Sequence, residues 1–223
     1  MKSFFPVLVF QKVGNPPTPS HLKKQWVTSK ALKNWLSFLT KKGYQFLTPA
    51  DLPKPLPNKP IMLVFIGGFQ SFYTEVFPLL KKHKIPATCA VAVDTLSTYN
   101  SWQDPYVEPW QNVLTLDQLN ELIESKLVQV ATLGLTGNDL TQVPPQQAQQ
   151  EIEESIYRLK KLHNIDACAV ALWPWASQHN EIHYKTDLPI FTANHGINEL
   201  TEKKNFRMLE PNWLTRMKLF LNK

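Results

Sequence analysis

The sequence predicts an α/β fold built on a parallel sheet. Residues 61–66 form an unbroken apolar run that a Gly-Gly pair ends, which is typical of a strand buried on both faces. Residues 76–82 follow with apolar side chains at helical spacing, and a second apolar run occupies residues 87–94. Strand, helix and strand in this order form a βαβ unit, and this alternation indicates parallel strands with helices packed outside them.

The elements before this unit follow the same alternation. Residues 6–13 are predicted to be the first strand. Thr28 or Ser29 can cap a helix that ends at Gly43, and residues 44–47 then form a short strand. The apolar side chains of this helix recur at i, i+3, i+4 and i+7: Leu32, Trp35, Leu36 and Leu39.

The elements after the unit begin with an irregular segment, residues 95–113, that is rich in aromatic side chains. Thr115 and Gln118 form a capping-box pattern at the start of a helix. The later elements are a strand at residues 127–133, a helix from Pro145 through Leu162, a strand at residues 167–172, strands near residues 191–198 and 207–209, and a closing helix from about Asn212.

Composition limits the classes of protein that the chain can belong to. A length of 223 residues with 43% hydrophobic content fits one well-filled domain, residues 1–223. The net charge is +6, but its Lys pairs fall at polar positions of predicted helices and no nucleic-acid motif accompanies them. We therefore expect no nucleic-acid partner.

The beginning of the chain is predicted to belong to the fold. Its apolar core is too short for a signal peptide, is interrupted by Pro6 and lacks a cleavage site of small residues. No apolar run approaches the length of about 20 residues that a membrane span needs. We therefore expect a cytoplasmic protein without a membrane partner.

Residues 64–69 and the helix after them resemble the first motif of the polysaccharide deacetylase family, the NodB-homology domain of carbohydrate esterase family 4. In that motif a strand ends in Thr-Phe-Asp-Asp-Gly-Tyr and leads into a similar helix. Residues 114–140 and 172–176 resemble later motifs of the family. The resemblance covers about residues 6–210 and implies a distorted (β/α)7 barrel.

Two further segments are similar to the branch of this family that acts on poly-N-acetylglucosamine. These segments are residues 70–74, which follow the first motif, and residues 104–110, Asp-Pro-Tyr-Val-Glu-Pro-Trp. The resemblance thus implies a polysaccharide that contains N-acetylglucosamine as the partner of the chain.

The same resemblance implies that the catalytic groups have been replaced. Metal-dependent deacetylation needs a divalent cation, held in this family by an Asp and two His, and a second carboxylate as general base. The base corresponds to Ile66, and the three ligands correspond to Gly67, Leu133 and Gly137. None of these side chains binds a proton or a cation. We therefore predict no catalytic residue, no metal and no cofactor.

Aromatic side chains are the candidates for binding substrate. Flat rings can stack on the apolar face of a sugar, and loops after the carboxyl ends of strands form the sites of barrel folds. The candidates in such loops are Trp102, Tyr106, Trp110, Trp173 and Trp175, with Asp94 at a strand end. Packing against the scaffold is an equal alternative for Trp173 and Trp175, and Asp94 can instead cap the following turn.

Three hypotheses on function follow from these residues. The first is a catalytically degenerate homologue that binds carbohydrate or serves as an accessory or regulatory protein, with a protein partner in polysaccharide machinery. The second is a metal-dependent hydrolase that removes N-acetyl groups through a relocated site at His179, His183 or Asp94. The third is a protein-interaction domain whose own side chains fill the groove.

Overall fold

A computed structural model describes residues 4–52, 55–174, 185–195, 198–199 and 205–221. Its strands are β1 (Phe4–Phe5), β2 (Val7–Phe10), β3 (Lys12–Val13), β4 (Trp26–Val27), β5 (Gln45–Leu47), β6 (Pro60–Ile66), β7 (Ala87–Val91), β8 (Val128–Thr132), β9 (Val170–Ala171), β10 (Ile190–His195), β11 (Asn198–Glu199) and β12 (Asn205–Met208). Its α-helices are α1 (Ser29–Lys41), α2 (Phe77–His83), α3 (Leu116–Glu124), α4 (Pro145–His163) and α5 (Trp213–Leu221).

Seven parallel strands form the central sheet in the order β2, β6, β7, β8, β9, β10 and β12, and β5 pairs with the first residues of β6. The ends of the sheet meet where Val9 N donates to Leu209 O at 3.0 Å and Leu209 N donates to Val7 O at 2.8 Å. These bonds produce a nearly closed barrel, which confirms the predicted (β/α)7 fold.

Two hydrophobic layers hold the barrel together, because successive residues of a strand point to opposite faces. In β6, Met62, Val64 and Ile66 point into the barrel interior. Ile61, Leu63 and Phe65 alternate with them and pack in the layer that includes the helices. All residues of β6 are buried, which is the reason for its continuous apolar sequence.

The helices begin where the sequence places their caps. Thr28 Oγ1 accepts a hydrogen bond from Ala31 N at 3.1 Å at the start of α1. Thr115 Oγ1 accepts from Gln118 N at 3.1 Å, and Gln118 Oε1 accepts from Thr115 N at 3.0 Å, which completes the capping box of α3. Each bond satisfies a backbone N–H that has no partner within the helix.

The segment of residues 95–113, called the 95–113 loop below, connects β7 to α3 at the carboxyl end of the barrel. Within the loop, an antiparallel bridge joins Tyr99 to Asn112. A second antiparallel bridge joins Val113, at the end of the loop, to Phe69 after β6. The loop is therefore a folded hairpin that packs on the loop after β6.

None of the helices in the described part of the chain has the length and apolar character that a membrane span needs.

Candidate functional site

Four residues at the carboxyl end of the barrel occupy the positions that the resemblance assigns to the catalytic base and the metal ligands. Ile66 ends β6 and Gly67 follows it, whereas Leu133 and Gly137 follow β8. The side chain of Ile66 is 0% exposed and that of Leu133 is 1% exposed, and both belong to the barrel interior. These two side chains therefore contribute to the core.

Both glycines have positive φ angles and are in close contact with an aromatic ring. Gly67 has φ +109°, and a Cβ atom built there would lie 2.3 Å from the ring of Phe69. Gly137 has φ +78°, and a Cβ atom there would lie 2.5 Å from the ring of Trp102. A side chain at either position would overlap a ring and strain the backbone.

The rings that exclude those side chains belong to an aromatic cluster of Phe69, Trp102 and Trp173. The ring centroids of Phe69 and Trp102 lie 6.0 Å apart, and those of Trp102 and Trp173 lie 5.6 Å apart. Trp173 Nε1 donates a hydrogen bond to Gly137 O at 2.8 Å, and its ring is 3% exposed. The aromatic cluster thus fills the end of the barrel, and Trp173 supports it.

These residues do not fit a divalent cation at the position that the family chemistry requires. A hard or borderline cation needs oxygen, nitrogen or thiolate ligands, and the side chains at positions 66, 67, 133 and 137 supply none. Within the described ranges, His, Cys, Asp and Glu form no group of three or more that could hold a metal ion.

An exposed pair of stacked rings lies on the 95–113 loop, which also carries Trp102, and is called the aromatic platform. The rings of Tyr99 and Trp110 stack at 4.4 Å with 13° between their planes, and they are 44% and 42% exposed. Trp110 Nε1 donates to Gln103 O, which fixes the indole. Tyr106 is 90% exposed on the same loop. The sequence predicts Trp110 and Tyr106 as contacts, but no pattern in it pairs Trp110 with Tyr99.

Of the remaining predicted site residues, the structure describes Asp94. Asp94 lies in the 3-10 turn Val93–Thr95, where its Oδ1 accepts from Arg158 of α4 at 2.8 Å. Its carboxylate is therefore held toward α4 by an ion pair. Trp175, His179 and His183 lie outside the described residues.

A buried ion pair that the sequence did not reveal anchors the 95–113 loop. Lys12 is 2% exposed and Glu108 is 0% exposed, and Lys12 Nζ donates to Glu108 Oε1 at 3.1 Å. Trp26 Nε1 donates to the same oxygen at 2.7 Å, and Ser20 Oγ donates to Glu108 Oε2 at 2.5 Å. Leu22 N adds a longer bond of 3.4 Å. Lys12 and Glu108 are 96 positions apart, so no local pattern pairs them.

The surroundings of this pair change the pKa of both groups. Burial raises the pKa of Glu108, but the hydrogen bonds from Ser20, Trp26 and Lys12 and the charge of Lys12 outweigh it, so the net pKa is lowered. Burial lowers the pKa of Lys12 even though Glu108 raises it. These hydrogen bonds and the charge of Lys12 therefore favour the carboxylate form of Glu108.

Comparison with known proteins agrees with this architecture. The sequence profile described as polysaccharide deacetylase matches residues 54–187. The poly-β-1,6-N-acetyl-D-glucosamine N-deacetylase of Escherichia coli (strain K12) is 34% identical over 116 residues. This match takes in 48% of the chain but 17% of the length of that protein.

Solved structures share the fold along nearly the whole chain. A de-N-acetylase from Aggregatibacter actinomycetemcomitans superposes with a TM-score of 0.77 at 18% identity and covers 97% of this chain and 100% of that one. The Streptococcus pyogenes deacetylase PplD, in complex with acetate, superposes with a TM-score of 0.71 at 19% identity and covers 94% and 93%. With the matching profile and the barrel, these similarities show that the chain belongs to the polysaccharide deacetylase family.

Proposed function

We propose that this chain is a non-catalytic member of the polysaccharide deacetylase family that binds a polysaccharide containing N-acetylglucosamine. It would serve as an accessory or regulatory protein beside a protein partner that handles the same polymer. The packing of Phe69 against Gly67 and of Trp102 against Gly137 carries the proposal. These contacts occupy the space that ligating side chains would need.

The chemistry of the family explains why this packing matters for activity. A bound cation lowers the pKa of its water from about 16 to about 7, so that hydroxide is available near neutral pH. Without a ligand set the water remains a poor nucleophile. The side chains of Ile66 and Leu133 also offer no general base to take its proton.

The aromatic platform supports the carbohydrate part of the proposal. Tyr99 and Trp110 cover one face of each other and leave outer ring surface exposed, where a pyranose can stack. Tyr106 extends the exposed aromatic surface. Of the other predicted contacts, Trp102 and Trp173 would support this surface. Trp175 stays a predicted contact, and Asp94 is held by Arg158. The relative from E. coli is named for poly-β-1,6-N-acetyl-D-glucosamine.

Metal content and acetate release test the absence of catalysis. After incubation with zinc, nickel or cobalt and desalting, we expect far less than one equivalent of metal in the protein. On the same sample we expect no acetate from a β-1,6-linked N-acetylglucosamine oligomer, because the described residues form no group of three or more His, Cys, Asp or Glu that could hold the metal. One equivalent of metal with acetate release that His183→Ala abolishes would establish the relocated hydrolytic site instead.

Binding of the same oligomer tests the aromatic platform. We expect the oligomer to quench Trp fluorescence and Trp110→Ala to weaken its affinity at least fivefold, because the stacking of a nucleobase on an aromatic ring, a related contact, contributes about 1–3 kcal/mol. Tyr157→Ala is the matched control, since Tyr157 is 56% exposed on α4. An equal loss of affinity for the oligomer in both variants, or no binding of the oligomer by the wild-type protein, would contradict the proposal.

A protein-interaction domain is the second candidate function, and the filled end of the barrel favours it. Leu214 and Met217 of α5 are 51% and 50% exposed, which gives this helix an apolar surface outside the barrel. Absence of oligomer binding together with absence of metal would leave this candidate.

A further inference from the structure

A polar cavity lies next to Phe69 of the aromatic cluster and has no role in the site described above. Its volume is about 280 Å³, and it is bounded by β3, β4, the loop after β6 and the end of the 95–113 loop. Its rim is exposed at Asn15, Thr74 and Asn112. Ligand cavities begin at about 300 Å³, so this one suits a single small unit and not an oligomer.

Lys12 forms a polar wall of this cavity. Its ammonium group donates to Glu108 Oε1 at 3.1 Å and to Gln25 Oε1 at 3.3 Å. An ammonium group has three N–H donors, and these bonds use two of them. The third is available to an acceptor in the cavity, which Lys12 lines. The rings of Trp26 and Phe69, whose centroids lie 5.7 and 5.6 Å from Nζ, also line it.

The charges around the cavity favour a neutral ligand. Glu108 neutralises Lys12 inside the protein, so the ammonium group offers a hydrogen bond without a net positive charge. Glu75 adds a carboxylate at the cavity wall, where it accepts from Ser29 at 2.7 Å. An anion such as phosphate would meet this carboxylate and gain no uncompensated cation.

Two amides that line the cavity provide one donor and one acceptor. Gln70 N donates to Asn112 O at 2.8 Å, and Asn112 Nδ2 donates to Gln70 Oε1 at 3.4 Å. Gln70 Nε2 and Asn112 Oδ1 then remain for a ligand. An acetamido group presents one C=O, which can accept from Gln70 Nε2, and one N–H on its opposite edge, which can donate to Asn112 Oδ1.

We propose that this cavity binds one N-acetylhexosamine unit, with its acetamido group at Gln70 and Asn112 and its ring against Trp26. The inference rests on the proposed function and adds a binding site to it. Residues 110–112 connect the cavity to the aromatic platform. One polymer chain can therefore occupy the cavity with one unit and stack on the platform with a neighbouring unit.

Titration of the labelled protein with monosaccharides, followed by ¹H–¹⁵N NMR, tests this site. The indole N–H signal of Trp26 is assigned by its absence from the Trp26→Phe spectrum. We expect N-acetylglucosamine to shift this signal saturably and glucose, which lacks the acetamido group, to bind at least tenfold more weakly. Equal affinities for the two sugars, or shifts with inorganic phosphate and none with N-acetylglucosamine, would overturn the assignment.

Variants of the amides locate the acetamido group. Gln70→Ala and Asn112→Ala should each raise the Kd for N-acetylglucosamine at least tenfold with an unchanged Tm, because neither side chain is buried. Asn120→Ala on the exposed surface of α3 is the matched control and should leave the Kd unchanged. Unchanged affinity in both cavity variants would overturn the inference.

The result separates this inference from the proposed function. Oligomer binding that depends on Trp110 while the monosaccharide leaves the Trp26 signal unmoved would reject the cavity alone. Absence of both kinds of binding would reject the proposed function together with the cavity.

Discussion

Glu108→Gln is expected to lower the free energy of unfolding by about 3–5 kcal/mol, because it leaves the Lys12 ammonium buried without a counter-charge. Lys12 and Glu108 are 2% and 0% exposed, so water replaces the lost partner only in part. The double variant Lys12→Met with Glu108→Gln should lower the free energy of unfolding by less than the sum of the two single variants, because no unpaired charge remains. Urea unfolding at pH 7 measures the three variants.

An exposed ion pair provides the control for this prediction. Lys160 Nζ and Asp166 Oδ2 lie 2.7 Å apart, but the side chains are 49% and 79% exposed. Asp166→Asn should therefore change stability by no more than about 1 kcal/mol. If Glu108→Gln lowers the free energy of unfolding by no more than Asp166→Asn does, the stabilising role of the buried pair is contradicted.

The same variants should differ in their dependence on pH. The folded-state pKa of Glu108 is lowered, so its contribution is complete above the unfolded pKa of about 4.3 and disappears as pH falls through the folded value. The difference in stability between the wild type and Glu108→Gln should accordingly be largest near pH 7 and shrink below about pH 4.

Gly137→Ala is expected to destabilise the protein by about 1–2 kcal/mol for the left-handed backbone and by a further 1–3 kcal/mol for overpacking. The added Cβ would lie 2.5 Å from the Trp102 ring and 3.0 Å from Ala92 Cβ. A rigid indole that contacts Trp173 and Phe69 has little room to move. Thermal or urea unfolding measures the change.

Gly43→Ala isolates the contribution of packing. Gly43 has φ +76°, close to the +78° of Gly137, but a Cβ there would meet nothing within 4 Å. This control should show only the backbone cost. In a Trp102→Ala background, Gly137→Ala should lower the free energy of unfolding by about as much as Gly43→Ala does. If the two glycine variants lower it equally in the wild-type background, Trp102 does not fill the position.

The 95–113 loop connects these predictions with the proposed function. It provides Trp102 to the aromatic cluster, Glu108 to the buried ion pair and Trp110 to the exposed platform. Because Glu108 is bonded to β3, to β4 and to Ser20 in the segment between them, the loop cannot leave the barrel end without exposing a buried charge. The site is therefore filled by an anchored structural element.

Local patterns in the sequence were sufficient for the architecture. The apolar run of β6, the helical spacing of α1 and the capping box of α3 predicted the elements that the structure shows. Each of these signals depends on residues close together in the chain. The family resemblance supplied the closure into a barrel, which the contact between Val9 and Leu209 confirms.

The candidate site depended on contacts that local patterns do not encode. Trp102 and Trp110 belong to the same loop and looked equivalent in the sequence, but Trp102 packs between Phe69 and Trp173 whereas Trp110 is exposed beside Tyr99. The direction of each ring is set by neighbours from distant segments.

The sequence by itself determined the parallel α/β fold, the order of its elements and the identity of the residues at the positions that the family motifs assign to catalysis. The tertiary structure decided what occupies those positions in space and which charges are paired. Strand and helix periodicity arises from neighbouring residues, but the packing of Trp102 on Gly137 and the pairing of Lys12 with Glu108 form only when remote segments meet.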